Sequence, residues 1–278
     1  VLSKDDIYAF RSQAFLDATR EVIGYTTSSS EDPFVPQSVR SLHALIAIAL
    51  MKQNKRTPKV IFETAQHFYS AGKLYAKDAL NSNLNAAKLS RRLNQFDNAE
   101  QFIERSSISS TLAGEATNIV EIEKVLTACK KAHITGVDAN KAADDGVKLI
   151  DHLPIENEEL IFFTIRALYE SRRFDEALSL AEQLSTSTNY VMQAEGFHFM
   201  ALSLSPQEAD TRTTHLRNAL SIGKSNNDQL LISTISNSLA EQLSYGSDKD
   251  KQEAHDLFIK SLDIKENQDI KDLAGMAR

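Results

Sequence analysis

The chain of 278 residues carries 38 acidic and 31 basic side chains, a formal charge of −7, and has one cysteine, nine glycines and five prolines. A single cysteine excludes an intrachain disulfide and favours a reducing compartment, so we expect a cytoplasmic protein. The acidic balance argues against binding to a phosphate backbone, and the scarcity of Gly and Pro leaves few places where a helix would stop.

The first 80 residues predict a separate N-terminal helical segment without internal repetition. Ser3 is a good N-cap followed by two aspartates, and Thr57-Pro58 supplies another N-cap with proline at the first helical position. The longest apolar run, residues 44–51, is too short to span a membrane. The predicted helices cover approximately 3–22, 37–53 and 58–80.

From residue 81 to residue 278 the pattern changes to pairs of helices joined by short turns. Apolar residues recur at i, i+3, i+4 and i+7, and no segment alternates as a strand would. Stacked pairs of this size are typical of an α-solenoid, which is an all-α fold. The predicted pairs are 82–94 with 97–106, 113–133 with 138–152, 156–171 with 174–186, 189–204 with 207–223, and 227–244 with 249–265, followed by a truncated helix from Asp269.

A short motif recurs at the start of two predicted helices. Phe96-Asp-Asn-Ala99 and Phe174-Asp-Glu-Ala177 lie 78 residues apart, with an alanine-rich segment around Ala143 between them. The interval from Ala143 to Ala177 is 34 residues, the tetratricopeptide period. Residues 81–278 therefore resemble tetratricopeptide-repeat proteins, which implies a right-handed solenoid of antiparallel helix pairs. Residues 1–80 are then divergent repeats, a cap, or the edge of a neighbouring domain.

The resemblance also bears on what kind of protein this is. The later copies look like the longer repeats found in bacterial regulators and in the sensor arms of STAND-type signalling ATPases. The chain begins with Val1 instead of Met and ends at Arg278 within a helical pattern. We therefore expect it to be part of a larger regulator.

In tetratricopeptide solenoids the first helix of each pair lines the concave surface, and this implies a partner-binding face. Phe162, Arg166 and Tyr169 form an aromatic–arginine stripe on it, and these residue types dominate protein-binding hot spots. Alternatively, Phe162 and Tyr169 pack against the neighbouring repeat, because a register error of one residue turns this face inward. The residues predicted on the face are Lys88, Arg91, Glu159, Phe162, Arg166, Tyr169, Glu195, His198, Asn237 and Glu241.

Candidates for catalysis, cofactors or metals are weak throughout the sequence. Glu63 and His67 stand one helical turn apart, but no second pair supports a metal site, and a local hydrogen bond or salt bridge explains them better. Cys129 lies in a helical run without a partner cysteine and is interpreted as a packed small residue. We therefore expect no enzyme activity, no cofactor and no metal.

The favoured function is a scaffold or sensor module that binds a protein or peptide partner. A sensor arm of a STAND-type ATPase is one alternative, and an all-α enzyme with an unrecognised site is another. RNA binding by a helical-repeat array is a third, which the charge of −7 opposes.

Overall fold

The computed structural model describes residues 2–4, 7–9, 37–53, 56–153 and 157–267. Helices make up nearly all of these residues, and the fold is all-α. Within these ranges no helix is both long enough and apolar enough to cross a membrane. The twelve α-helices described are α1 (Gln37–Met51), α2 (Pro58–Ser70), α3 (Ala76–Arg92), α4 (Phe96–Ala113), α5 (Asn118–Thr135), α6 (Ala139–His152), α7 (Glu158–Glu170), α8 (Phe174–Leu184), α9 (Tyr190–Ser203), α10 (Ala209–Ser225), α11 (Gln229–Leu243) and α12 (Asp248–Asn267).

A short β-hairpin occupies the start of the chain, where a helix was predicted from Ser3. Strand β1 (Leu2–Lys4) pairs antiparallel with β2 (Ile7–Ala9), with Lys4 opposite Ile7. The predicted helix is therefore wrong over the residues of these two strands, because isoleucine and tyrosine favour extended backbone. The remainder of that helix, and the one predicted after residue 268, lie outside the described residues.

The third predicted helix, which was extended to Leu80, is also wrong. Helix α2 ends at Ser70, a 3-10 turn covers Lys73–Tyr75, and α3 begins only at Ala76. Gly72 has a φ of 78°, a conformation that residues with side chains rarely adopt and that ends the helix before it.

Between residues 138 and 267, the predicted helix boundaries are confirmed to within two residues. Before that point, α4 is longer than predicted and ends at Ala113, where Gly114 adopts a left-handed conformation with a φ of 67°. The next helix therefore begins at Asn118 instead of at residue 113.

Packing follows the order of the sequence, as a helical repeat requires. The contacts divide the chain into two compact units, Val1–Thr127 and Ala128–Arg278. In the first unit α1 packs on α2, α2 on α3, and α3 on α4. In the second unit successive helices pack from α6 to α12, and α9 also contacts α7 and α11, its next-but-one neighbours.

One turn conformation recurs at equal distance from a buried alanine. Among the described residues, three other than glycine have φ between 58° and 61°, and each lies five residues before an alanine with no exposed surface. These turns and alanines stand at the starts of α4, α6 and α8, so the same local structure is built three times. The pairs are Asn94 with Ala99, Asp138 with Ala143, and Arg172 with Ala177.

Each unit has its own apolar core. In the first unit Leu84 and Phe102 pack between α3 and α4. In the second unit Leu216, Ile235 and Leu239 are buried between α10 and α11. Burial of a leucine side chain of this kind contributes about 1.5–3 kcal/mol, and the small alanines let the helix backbones approach closely enough for it.

A close approach of two helix backbones in the second unit occurs at Gly196, on α9. A Cβ placed there would lie 2.8 Å from the carbonyl carbon of Leu184 and closer still to the backbone nitrogen of Ser185. We expect Gly196→Ala to lower the free energy of unfolding by about 1–3 kcal/mol, because the end of α8 must move. Urea denaturation followed by circular dichroism measures the change.

Gly223→Ala is the matched control for that variant. A Cβ at Gly223 meets only ordinary contacts at 3.4 Å with Ile232 and Leu231. The alanine gains helix propensity without a clash, so this variant should be as stable as the unchanged protein or more stable. If both glycine variants lose stability equally, the close approach at α8 is not the cause.

Candidate binding face in the second unit

Arg166 lies at the centre of an aromatic and charged cluster on α7 and α9. Its guanidinium carbon is 4.5 Å from the ring centre of Phe162, one turn earlier on α7, and 5.9 Å from the ring centre of Phe199 on α9. Cation–π contacts of this kind contribute about 0.5–2 kcal/mol, more as the cation loses water. Phe199 is buried, so the cation rests on a fixed aromatic platform.

The aromatic side chains of the predicted stripe pack on the neighbouring helix and still keep part of their surface in solvent. The ring centre of Phe199 is 6.2 Å from that of Phe162 and 6.0 Å from that of Tyr169, both in edge-to-face arrangements. Phe162 and Tyr169 are partly buried, not fully covered. The two rings therefore pack on the neighbouring helix, as the alternative interpretation predicts, and each also keeps an edge accessible to solvent.

Two glutamates and two histidines surround Arg166. His133 Nδ1 on α5 lies 2.9 Å from Glu170 Oε1 on α7. On α9, His198 Nδ1 is 3.4 Å from Glu195 Oε2, and its Nε2 is 2.9 Å from Ser238 Oγ on α11. These polar contacts join α5 to α7 and α9 to α11.

Burial and charge act on the titratable groups of this cluster in different directions. Burial lowers the pKa of Arg166, and the nearby Glu195 and Glu170 oppose that effect. Burial alone would raise the pKa of Glu195, but the hydrogen bond with His198 and the charges of Arg166 and His133 lower it overall. Burial, with Arg166, also lowers the pKa of His133. The charge of Arg166 is therefore partly offset by two nearby acids, while its guanidinium stacks on the aromatic rings.

One donor of Arg166 is unsatisfied within the described part of the chain. Its Nε is buried and finds no hydrogen-bond acceptor there. A buried donor without a partner costs about 1–3 kcal/mol. The stacking of the guanidinium on Phe162 and Phe199 opposes that cost.

The other predicted residues of the face differ in how far they are exposed. Glu159 is partly buried in the first turn of α7, and Asn237 is partly buried on α11. Glu241 is exposed on the same helix. Lys88 belongs to α3 in the first unit, where its side chain is partly buried.

Arg91 and His198 were predicted on the surface, and the structure corrects both. Arg91 is 3% exposed because its guanidinium forms an ion pair with Glu123, whose side chain is 1% exposed. His198 is 7% exposed, and its two ring nitrogens contact Glu195 and Ser238. Neither side chain is placed to meet a partner; His198 instead holds Glu195 in position.

A cleft of about 560 Å³ adjoins Tyr169 and was not predicted from the sequence. It lies among α7, α9, α10 and α11, with Arg212 on α10 and Tyr245 just after α11 among its lining residues. Arg212 was missed because the resemblance assigns only first helices to the binding face. Tyr245 is 84% exposed, and a tyrosine directly after a helical pattern was the available sequence signal.

The pair considered as a weak metal candidate has other partners. His67 Nδ1 lies 2.7 Å from His43 Nδ1 on α1, and Glu63 forms a surface ion pair with Lys59 at 3.8 Å. Across the described ranges no three acidic, histidine or cysteine side chains are arranged to hold a metal ion. Glu63 is therefore a local salt-bridge partner of Lys59 and not of His67, whose ring contacts His43 on the neighbouring helix.

Cys129 is a packed core residue, as interpreted from the sequence. It has no exposed surface, and its thiol donates to the main-chain oxygen of Ala142 at 3.3 Å. Burial raises the pKa of the Cys129 thiol to about 12, so the reactive thiolate does not form near neutral pH.

Comparison with models of known protein families gives no match, and comparison with curated protein sequences gives none either. The geometry of the chain itself is therefore the basis for assigning a function.

Proposed function

We propose that this protein is a non-catalytic interaction module, a tetratricopeptide-like α-solenoid that binds a protein or peptide partner through the first helices of its pairs. The observation that carries the proposal is Arg166 stacked on Phe162 and Phe199 with Tyr169 beside it. Arginine and aromatic residues held in place by packing are the usual anchors of protein interfaces.

Two features of the second unit support a repeating array. The next-but-one contacts of α9 with α7 and α11 place alternate helices side by side, as the inner layer of a solenoid does. The recurrent turn and buried alanine at the starts of α6 and α8 give successive pairs a common geometry. In such an arrangement we expect alternate helices to present one continuous face.

The cluster is also preorganised for binding. Stacking on two rings limits the rotamers of Arg166, and the contacts of His133 and His198 limit those of Glu170 and Glu195. Side chains ordered before binding lose less entropy when a partner arrives. The charge of −7 favours a protein or peptide over a nucleic acid as that partner.

The proposal is tested by selecting peptides from a displayed random library on the immobilised protein. Peptides enriched on the unchanged protein are expected to bind Arg166→Glu at least about tenfold more weakly, because the reversed charge faces Glu195 and Glu170 and loses the stacking. Fluorescence anisotropy of labelled peptides measures the affinities.

Two further variants separate the face from the fold. Arg166→Lys keeps the charge but cannot stack as a planar group, so it should weaken binding while leaving the circular dichroism spectrum unchanged. Lys260→Glu reverses an exposed charge on α12 and should leave affinity unchanged. Peptides whose affinity is indifferent to both Arg166 substitutions would place the binding face elsewhere.

A further inference from the structure

The cleft beside Tyr169 contains an arginine with unused donors. Arg212 on α10 is partly buried, and its Nε donates to the main-chain oxygen of Ala201 at 3.1 Å. Ala201 lies in the last turn of α9, where carbonyl groups lack helical N–H partners. This bond satisfies the helix end and fixes the direction of the guanidinium.

Nothing within the described residues neutralises that guanidinium. Arg212 has no ion pair there and no hydrogen bond other than the one to Ala201. Both terminal amino groups of Arg212 therefore keep their donors. A fixed guanidinium with two free amino groups fits the two oxygens of a carboxylate, which it binds as a fork.

The other walls of the cleft fit an apolar group beside that carboxylate. Tyr169 and Tyr245 contribute aromatic surface, and Leu202 contributes aliphatic surface. A volume of about 560 Å³ is in the range of ligand sites and exceeds that of one side chain. The cleft therefore has room for an acidic residue together with an apolar neighbour.

One acid, Glu241, also lines the cleft. Its side chain is exposed, whereas Arg212 is partly buried, so water and salt screen the charge of Glu241 more strongly. The charge of the arginine is therefore the less screened of the two.

We propose that this cleft is a subsite for an internal acidic side chain of a peptide, with an adjacent aromatic or aliphatic residue placed against Tyr169 and Tyr245. The proposal rests on the proposed function, because Tyr169 belongs both to the cleft and to the Arg166 cluster, so one peptide would meet both. It adds the chemistry of the partner, which the Arg166 cluster does not specify.

The test compares two blocked peptides, acetyl-Gly-Phe-Glu-Gly-amide and acetyl-Gly-Phe-Gln-Gly-amide, with the full chain by isothermal titration calorimetry. The glutamate peptide should bind at least about tenfold more tightly than the glutamine peptide. Arg212→Gln should remove the difference, and Arg217→Gln, an exposed arginine on the same helix, should preserve it. Equal affinities of the two peptides for the unchanged protein would overturn the proposal without any variant.

Two further comparisons show whether the bound carboxylate belongs to a peptide or to a small acid, and distinguish this site from the Arg166 cluster. Tighter binding of 3-phenylpropanoate than of the glutamate peptide would overturn the assignment to a peptide and indicate a small carboxylic acid. If the peptides selected from the library lose affinity for Arg166→Glu but keep their affinity for Arg212→Gln, the subsite is wrong and the proposed function stands. If Arg166→Lys still binds the glutamate peptide more tightly than the glutamine peptide, the subsite is supported even where binding of the selected peptides does not depend on Arg166.

Discussion

Replacing Glu123 by leucine is expected to lower the free energy of unfolding by about 3–5 kcal/mol, because it leaves the cation of Arg91 buried without its counter-ion. Arg91 Nε is 2.7 Å from Glu123 Oε1, and its terminal amino group is 3.2 Å from Oε2, so the pair has fork geometry. Both side chains are excluded from solvent. Urea denaturation followed by circular dichroism measures the loss.

A double variant shows whether the loss comes from the unpaired charge or from the altered shape. Arg91→Met with Glu123→Leu replaces both ions by apolar groups, and it should recover most of the stability because desolvation offsets much of what the ion pair gains. Glu253→Gln is the surface control, since its partner Arg217 is 51% exposed and exposed pairs contribute about 0–1 kcal/mol. A double variant as unstable as the single one would show that packing, not charge, is decisive.

The same arginine shows why the candidate face was only partly predictable. Helical periodicity places Arg91 on a definite side of α3, but the sequence does not show what lies opposite. Its partner Glu123 is 32 residues away on α5, and a buried ion pair leaves no local pattern. The contact of Arg166 with Phe162 was easier to predict, because Phe162 is on the same helix at i−4, where spacing alone brings side chains together.

Helix positions were largely predictable for a different reason. From α6 onward apolar residues recur with helical period, and N-caps such as Asn157, Asn189 and Asp228 mark the starts, each accepting a hydrogen bond from the backbone of its own helix. The errors lie where one residue decides between conformations. Gly72 interrupts a helix that the apolar periodicity would continue. Short segments of β-prone residues form strands only where they pair with another segment.

The cleft at Arg212 was beyond sequence reasoning because its walls come from separate elements. Tyr169, Arg212 and Tyr245 are 33 or more residues apart and share no motif. A resemblance to a repeat family assigns roles by helix position, and that rule excludes a second helix such as α10. Such a site is found only when tertiary packing shows which donors remain unused.

A second large effect is expected from pH, through the contact of His43 on α1 with His67 on α2. Their Nδ1 atoms are 2.7 Å apart, so one must donate and the other accept, and protonating the acceptor would bring two N–H donors together. Burial, followed by the charge of His67, lowers the pKa of His43 from 6.5 to about 4, and burial also lowers the pKa of His67.

The sign of the effect follows from those pKa values. The unfolded chain takes up a proton at His43 near pH 6.5, whereas the folded chain resists until about pH 4, so stability is full above pH 6.5 and falls as the pH decreases toward 4. His43 is 7% exposed, and the loss between pH 7.5 and pH 5 should be about 2 kcal/mol. Amide hydrogen exchange of α1 and α2 at the two pH values measures it locally.

Two variants test the assignment of that loss to the histidine pair. His43→Gln removes the titrating group and should flatten the pH dependence of exchange in α1 and α2, at some cost in stability at neutral pH. His255→Gln changes an exposed histidine on α12 and should keep the slope of the unchanged protein. If the pH dependence of exchange is undiminished in His43→Gln, it arises from carboxylates or from other histidines. The reason is that this variant removes only the titratable pair between α1 and α2.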